Sequence, residues 1–271
     1  MTLPSLDLVS VSRGGPAQPL LSVRGLVKHF PVKKGLFGAS AVVRAVDGID
    51  LDVLQGETLG VVGESGCGKS TTARLLMHLI TPDAGDIVFG GERVGSPGLG
   101  LRDYHRQVQM VFQDSYSSLN PRMTAEASIA FGPQVHGVPR REAVARARDL
   151  LARVGLDPRR FAERYPHEMS GGQRQRVNIA RALALQPHLI ILDEAVSALD
   201  KSVEAQVLNL LLDLKEEFGL TYMFISHDLN VVRFISDRVM VMYLGKVAEI
   251  GEAEAVFERA RHPYTAALLS S

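Results

Sequence analysis

The sequence contains one cysteine, Cys67, in 271 residues. A lone cysteine excludes a disulfide within the chain and a metal site built from several thiolates, and it suits a reducing cytoplasm. A surplus of either charge is also missing, since 30 Lys and Arg residues face 30 Asp and Glu residues. Because nucleic-acid-binding domains usually carry a basic surplus, we predict no nucleic-acid partner.

Long apolar segments are missing as well. No run approaches the roughly 18 apolar residues of a membrane-spanning helix, and the first 20 residues lack the basic start and apolar block of a signal peptide. Hydrophobic residues make up 46% of the chain and charged residues 22%, which is ordinary for a globular protein. We therefore predict a soluble protein of one or two domains that reaches a membrane only through partner subunits.

The most informative segment that is present runs from Gly63 to Ser70 and fits the P-loop pattern G-x-x-x-x-G-K-[ST]. An apolar strand at 59–62 precedes it, and a helical pattern at 71–80 follows it. In such a loop the glycines let backbone N–H groups point at phosphate oxygens, while the lysine adds a full charge and the last hydroxyl can ligate Mg²⁺. A Gly-rich strand-to-helix turn can also be only a turn. All diagnostic positions are filled in the right context, which favours a nucleoside triphosphate site.

Two further motifs carry chemistry, each with a plainer alternative. Asp193 and Glu194 end an apolar strand, where one carboxylate could reach Mg²⁺ and the next could polarise a water, or both could simply cap the strand. Ser170 and the glycines of Ser-Gly-Gly-Gln precede a helix, where they could form a second anion cradle or only an N-cap and a turn. One chain rarely needs two phosphate cradles, but two chains arranged head to tail could use both on one nucleotide.

The apolar periodicity predicts an α/β fold. Short strands between Leu21 and Val53 indicate an antiparallel β layer, and strands at 188–192 and 221–225 alternate with helices at 203–218 and 229–235. Such alternation predicts a parallel sheet. The stretch from about 114 to 180, with a strong helical pattern at 140–155, interrupts this alternation as a helical insertion.

Taken together, the ordered motifs resemble those of ABC transporter ATPase subunits almost end to end. The motifs are the P-loop at 63–70, Gln113, the signature Ser-Gly-Gly-Gln at 170–173, the Walker B strand at 189–194, Ser197–Asp200 and His227. The resemblance implies a RecA-like P-loop NTPase core with a parallel sheet, an antiparallel β subdomain and a helical subdomain. It also implies ATP and Mg²⁺ as ligands and hydrolysis of ATP as the activity.

Other segments resemble more narrowly the dipeptide, oligopeptide and nickel importer ATPases, and within these the "F" type of subunit. They are Ala45–Ile49, the P-loop, Ser118–Met123, Ala195–Asp200 and His262–Thr265. Met169 departs from the family by replacing a leucine, a swap of similar volume. The chain also stops soon after His-Pro-Tyr-Thr, where family members continue, so we expect a truncated C-terminal extension.

The resemblance assigns roles residue by residue. Glu194 is the expected general base, His227 the switch histidine at the γ-phosphate, and Asp200 a residue that crosses to a partner subunit. Phe30 is the candidate for stacking on adenine, with packing in the core as an equal alternative. The residues expected to bind the nucleotide are Gly63, Ser65, Gly66, Cys67, Gly68, Lys69, Ser70 and Thr71 of the P-loop, and Ser170, Gly171, Gly172 and Gln173 of the signature. The expected Mg²⁺ ligands are Ser70, Gln113 and Asp193. The expected catalytic residues are Glu194, His227, Lys69 and Gln113.

The domain division expected from these patterns has three parts. Residues 1–19 form a loose arm, residues 20–258 form the ABC ATPase domain, and residues 259–271 begin the C-terminal extension. Within the domain, 20–112 and 181–258 form the core with its β subdomain, and 113–180 form the helical subdomain.

The resemblance implies a transport motor at the cytoplasmic face of the membrane. Its expected partners are a second ATPase subunit, related but different, or a second copy of this chain, together with two transmembrane permease subunits and, indirectly, an extracytoplasmic substrate-binding protein. The expected cargo is a di- or oligopeptide, with another small solute such as nickel as the alternative. A soluble ABC ATPase of DNA repair or translation and a P-loop kinase are the rivals from other classes, and the signature motif argues against the kinase.

Overall fold

The computed structural model describes residues 18–33 and 40–270. Residues 1–17 of the predicted arm, residues 34–39 of the Gly- and Lys-containing loop, and Ser271 lie outside the described residues. The strands, in chain order, are β1 (Leu21–Lys33), β2 (Ser40–Val53), β3 (Thr58–Val62), β4 (Ala84–Phe89), β5 (Glu92–Arg93), β6 (Val108–Val111), β7 (Leu189–Asp193), β8 (Thr221–Ile225), β9 (Arg238–Tyr243) and β10 (Lys246–Glu252). The α-helices are α1 (Lys69–Leu76), α2 (Leu101–Gln107), α3 (Ala125–Val135), α4 (Arg140–Arg153), α5 (Pro158–Phe161), α6 (Gly171–Leu183), α7 (Lys201–Phe218), α8 (Leu229–Ile235), α9 (Ala253–Glu258) and α10 (Pro263–Ser270).

The central sheet has the strand order β10-β9-β3-β8-β7-β6 in the described part of the chain. Its pairs are parallel except for the β9–β10 hairpin, and the alternation of strands and helices in the sequence predicts the parallel pairs. Because neighbouring parallel strands end at the same edge, the loops after β3, β6, β7 and β8 converge there. These loops carry the P-loop, Gln113, Glu194 and His227 respectively.

Two apolar cores lie on opposite faces of this sheet. Successive residues of β7 alternate between them: Leu189 and Ile191 pack in one core, and Ile190 and Leu192 in the other. The first core joins the sheet to the antiparallel layer, and the second joins it to α3, α4 and α6. Strands buried on both faces explain the nearly continuous apolar runs in the sequence.

The antiparallel layer is built from fewer and longer strands than the sequence patterns predict. The expectation of short strands between Leu21 and Val53 was wrong, since β1 and β2 are long and run through Gly25 and Gly48. Both glycines have positive φ, +57° and +77°, and register shifts in β1 accompany them. Bulges therefore bend these strands without ending them.

Helix α1 is shorter than its apolar pattern suggests. It ends at Leu76, and His78 adopts the left-handed conformation with φ +49°. Leu79, which lies within the helical pattern predicted at 71–80, follows the end of this helix and is 53% exposed.

Candidate nucleotide-binding site

The P-loop joins β3 to α1 and wraps around the Lys69 ammonium. Gly68 precedes the helix with φ +111°, and a Cβ atom there would lie 2.2 Å from the Ala45 carbonyl oxygen of β2. Only glycine therefore fits this position. Lys69 Nζ donates to the carbonyl oxygens of Gly63 at 2.6 Å and Glu64 at 3.0 Å.

One pocket at the carboxyl edge brings most of the predicted P-loop residues together with Gln113 and Glu194. It is lined by Ala45, Ser65, Gly66, Gly68, Lys69, Ser70, Thr71, Gln113 and Glu194. Sequence reasoning gave Ala45 no role at the site. Ala45 belongs to β2 of the antiparallel layer. Only the close approach of its carbonyl to the P-loop shows that it lies at the nucleotide site.

Two predicted residues sit beside this pocket rather than in it. The Cys67 side chain is 4% exposed and packs in the apolar core shared with β3, while its N–H donates to the Glu64 carbonyl. Phe30 is half-buried on β1 opposite Val43, two residues from Ala45, with Lys28 Nζ 5.6 Å from its ring centroid. Phe30 thus lies one strand away from the pocket.

The Asp193 carboxylate lies behind the P-loop hydroxyl. Ser70 Oγ donates to Asp193 Oδ1 at 2.9 Å, and Asp193 is 5% exposed. Burial raises the pKa of Asp193, with the Ser70 hydrogen bond acting in the opposite direction. A buried carboxylate that water solvates poorly favours a cation beside it.

Glu194 is held in an unusual conformation. Its φ is +49°, in the left-handed region that costs a non-glycine residue roughly 1–2 kcal/mol. Its N–H donates to the Ile225 carbonyl at 2.9 Å, and its Oε2 accepts from Gln113 Nε2 at 2.9 Å. His227 Nδ1 lies 3.5 Å from the same oxygen. Residues that follow three different strands thus meet at one carboxylate. The strained backbone of Glu194 is of the kind that is typical of functional positions.

The signature residues lie outside this pocket, at the start of α6. Ser170 Oγ accepts the N–H of Gln173, and Gln173 Oε1 accepts the N–H of Ser170, which makes a capping box. Met169 is buried in the core beneath them. Asp200 stands exposed just before α7, and its side chain does not cap that helix.

Gly172 is fixed by packing as well as by any role in binding. A Cβ atom on Gly172 would lie 2.4 Å from Val203 Cγ1, whereas one on Gly171 would find its nearest neighbour, Leu199 Cδ2, at an ordinary 3.7 Å. We expect Gly172→Ala to destabilise the fold by about 1–3 kcal/mol, because the branched Val203 side chain cannot turn aside easily. Chemical denaturation measures this loss.

The neighbouring glycine supplies the control for this prediction. Gly171→Ala should leave the free energy of unfolding nearly unchanged, and adding Val203→Ala to Gly172→Ala should restore part of the loss. If the two alanine variants unfold alike, packing against Val203 does not explain Gly172.

A polar row on α6 holds the segment that follows Gln113. Asn178 Nδ2 donates to the Ser115 carbonyl at 3.1 Å, Arg181 donates to the Ser118 carbonyl, and the Arg174 guanidinium lies 5.3 Å from the Tyr116 ring centroid. Sequence reasoning missed these residues. Their spacing of four and three places them on one helix face, which is the signal that could have identified them.

Comparisons with known proteins agree with this geometry. The family model described as ABC transporter matches residues 46–197. The chain belongs to the ABC transporter family. It is 53% identical over 258 residues to the glutathione import ATP-binding protein GsiA of Pectobacterium atrosepticum, and 54% identical to GsiA of Escherichia coli K12. In each case 94% of this chain aligns, but it spans only 41% of the relative's length.

Solved structures of this family share the fold. CbiO1 of Clostridium perfringens, part of the ABC transporter complex cbiONQ, superposes with a TM-score of 0.75 at 28% identity, covering 90% of this chain and 92% of that one. The ATP-binding cassette MJ0796, a dimeric structure bound to ADP and Pi, superposes with a TM-score of 0.73 at 28% identity. The match covers 86% of this chain and 98% of that one. The predicted family and α/β fold class are confirmed, and membership makes the chain an ATP-binding cassette. Among the described residues no helix is long and apolar enough to cross a membrane.

Proposed function

We propose that this chain binds Mg·ATP at the P-loop, hydrolyses it, and thereby drives import of di- or oligopeptides through a membrane permease. The observation that carries the proposal is the meeting of Lys69, Ser70, Gln113 and Glu194 in one pocket. A P-loop alone serves many reactions. A P-loop with a strained glutamate bound to an amide from a neighbouring strand is suited to activating water.

The residues present fit Mg²⁺. The hydroxyl of Ser70, the carboxylate of Asp193 and the amide oxygen of Gln113 are the hard oxygen donors that this ion prefers. When bound, Mg²⁺ would neutralise charge on the β- and γ-phosphates. The Gln113 amide nitrogen donates to Glu194, so the amide oxygen would be the atom of this side chain that holds the ion.

In hydrolysis, the chain's own groups position phosphate and water. Lys69 and the N–H groups at the start of α1 bind the phosphates. Glu194 accepts the proton of the attacking water through its carboxylate, which Gln113 orients. His227, exposed beside that carboxylate, completes the γ-phosphate contacts.

The signature residues serve the nucleotide of a second subunit. Ser170 is exposed, and the first N–H groups of α6 have no acceptor within the helix, so the helix start suits an anion brought from outside. The MJ0796 neighbour is described as a dimer bound to ADP and Pi, which supports a shared site. Asp200 and Gly171 to Gln173 would then face the partner, a related ATPase subunit or a second copy.

Ser170→Arg should leave ATP binding by the isolated subunit nearly unchanged but abolish ATP-driven dimerisation and hydrolysis. The added bulk and charge would stand where the partner's nucleotide enters, outside the pocket formed by the P-loop of the same chain. Equilibrium binding of a fluorescent ATP analogue, gel filtration with ATP and phosphate release measure the three quantities.

Ser170→Ala is the matched control, because it removes the same helix cap without adding bulk. The cap is worth about 0.5–2 kcal/mol, so this variant should lose some stability and still dimerise. Loss of ATP binding by monomeric Ser170→Arg would place the signature at its own P-loop and contradict the shared site. Mixing Ser170→Arg with Lys69→Ala should restore partial activity, since each mixed dimer keeps one intact site.

Transport of peptides is supported by the relatives, which are described as glutathione import proteins. The partners we propose are two transmembrane permease subunits and an extracytoplasmic binding protein, with this chain on the cytoplasmic face. The segment 114–122 after Gln113, which side chains of α6 hold in place, would couple the nucleotide site to the permease. Import of another small solute such as nickel, or a soluble role outside transport, are the alternatives.

Uptake assays separate these alternatives. Cells lacking the gene should lose uptake of labelled glutathione or of a labelled dipeptide, and the wild-type gene should restore it while a Glu194→Gln gene does not. If only nickel uptake is lost, the proposed cargo is nickel and not a peptide. Unaltered uptake of peptides and nickel would contradict a transport role.

A further inference from the structure

The His-Pro-Tyr-Thr segment packs back onto the nucleotide-binding edge of the domain. Glu249 of β10 accepts the N–H groups of Arg261 at 2.9 Å and His262 at 3.0 Å. The Tyr264 ring lies against the Tyr243 ring, with centroids 4.1 Å apart. These contacts fix the start of α10 beside the hairpin of β9 and β10.

From this position Tyr264 reaches the P-loop itself. The Glu64 N–H donates to the Tyr264 hydroxyl oxygen at 3.1 Å, across 200 residues of sequence. Pattern and spacing give no hint of such a contact, because the motif begins a short helix that packs against strands distant in the sequence.

The Tyr264 contact falls on the peptide unit that also binds the lysine. The N–H of Glu64 and the carbonyl of Gly63 belong to one planar peptide group. Its N–H side is held by Tyr264, and its carbonyl oxygen accepts from Lys69 Nζ at 2.6 Å. Because the group is rigid, fixing one side fixes the direction of the other.

We propose that Tyr264 is a positioning residue for the nucleotide site: its hydroxyl holds the Gly63–Glu64 peptide plane, whose carbonyl places the Lys69 ammonium. This role rests on the proposed function, since it assumes that Lys69 binds ATP phosphates. A P-loop ordered before ATP arrives loses less freedom on binding. Tyr264 therefore acts on affinity for ATP, while the bound phosphates order the loop for the chemical step.

Tyr264→Phe tests the role, since it keeps the ring pair and removes only the hydroxyl. We expect the KM for ATP and the Kd of a fluorescent ATP analogue to rise about three- to tenfold, the range of one neutral hydrogen bond, with kcat within about twofold of wild type. Hydrogen exchange of the peptide that contains Glu64 should become faster. Tyr243→Phe is the matched control, because it takes a hydroxyl from the same ring pair without touching the Glu64 amide.

The KM values, the exchange rates and the melting temperatures together decide whether Tyr264 has the positioning role. Raised KM and faster exchange in Tyr264→Phe but not in Tyr243→Phe support the positioning role. Equal KM values for both variants and wild type, while Lys69→Ala binds ATP more weakly and does not hydrolyse it, overturn the role and leave the proposed function standing. A fall in melting temperature without a change in KM makes Tyr264 merely structural and overturns it too. If Lys69→Ala binds and hydrolyses ATP like wild type, the proposed function fails and the positioning role fails with it.

Discussion

Lys69→Ala is expected to lose ATP hydrolysis altogether and to bind ATP about 10- to 100-fold more weakly. A hydrogen bond to a charged group contributes roughly 1.5–3 kcal/mol, and the same charge is needed as the γ-phosphate leaves. The side chain is 5% exposed and binds two carbonyl oxygens of the loop. Its removal therefore also takes the lysine donor away from both carbonyls, and the Glu64 carbonyl keeps only the Cys67 N–H.

Phosphate release and titration with a fluorescent ATP analogue measure both effects. Lys215→Ala is the control, since Lys215 pairs with Asp237 at 2.9 Å at the far end of α7 and should keep wild-type turnover. Normal hydrolysis by Lys69→Ala would remove the P-loop from the reaction.

Glu194→Gln should slow hydrolysis by about 10²–10⁴, the usual contribution of a positioned general base, while ATP binding persists. The amide has the same shape as the carboxylate, and its oxygen can still accept the Gln113 amide hydrogen that Glu194 Oε2 now accepts at 2.9 Å. The site should therefore keep its geometry and lose only the proton acceptor. ATP should accumulate in a stable dimer, which gel filtration with ATP detects.

Glu204→Gln provides a comparison, since Glu204 is also buried but pairs with Lys201 on α7. It should hydrolyse ATP at close to the wild-type rate. A Glu194→Gln protein with wild-type turnover would show that another group accepts the proton.

The parts of the site that follow from local sequence were predictable. The P-loop, the Walker B strand and the capped helix at Ser170 each need only a strand or helix and a few neighbouring residues. Their convergence followed from the rule that parallel strands present their carboxyl ends at one edge. The left-handed backbone of Glu194 did not follow, because it is imposed by a hydrogen bond to Ile225 of the adjacent strand.

Features that depend on contacts between residues distant in the sequence could not be predicted from it. The inward-facing Cys67 thiol, the bulges at Gly25 and Gly48, and the Tyr264 contact all arise where two separate elements meet. A glycine in an apolar run is compatible with a turn or with a bulge, and only the partner strand decides which.

The position of β3 inside the central sheet makes the P-loop strand depend on neighbours that come late in the chain. Thr58 pairs with Tyr222 of β8, and Leu59 with Arg238 of β9. During synthesis the P-loop segment therefore leaves the ribosome long before either neighbour of its strand exists. The apolar strand β3 has two open edges until β8 follows and one open edge until β9 follows, and open edges invite aggregation. The most recognisable motif of the chain therefore gains both neighbours of its strand only after most of the chain has been made.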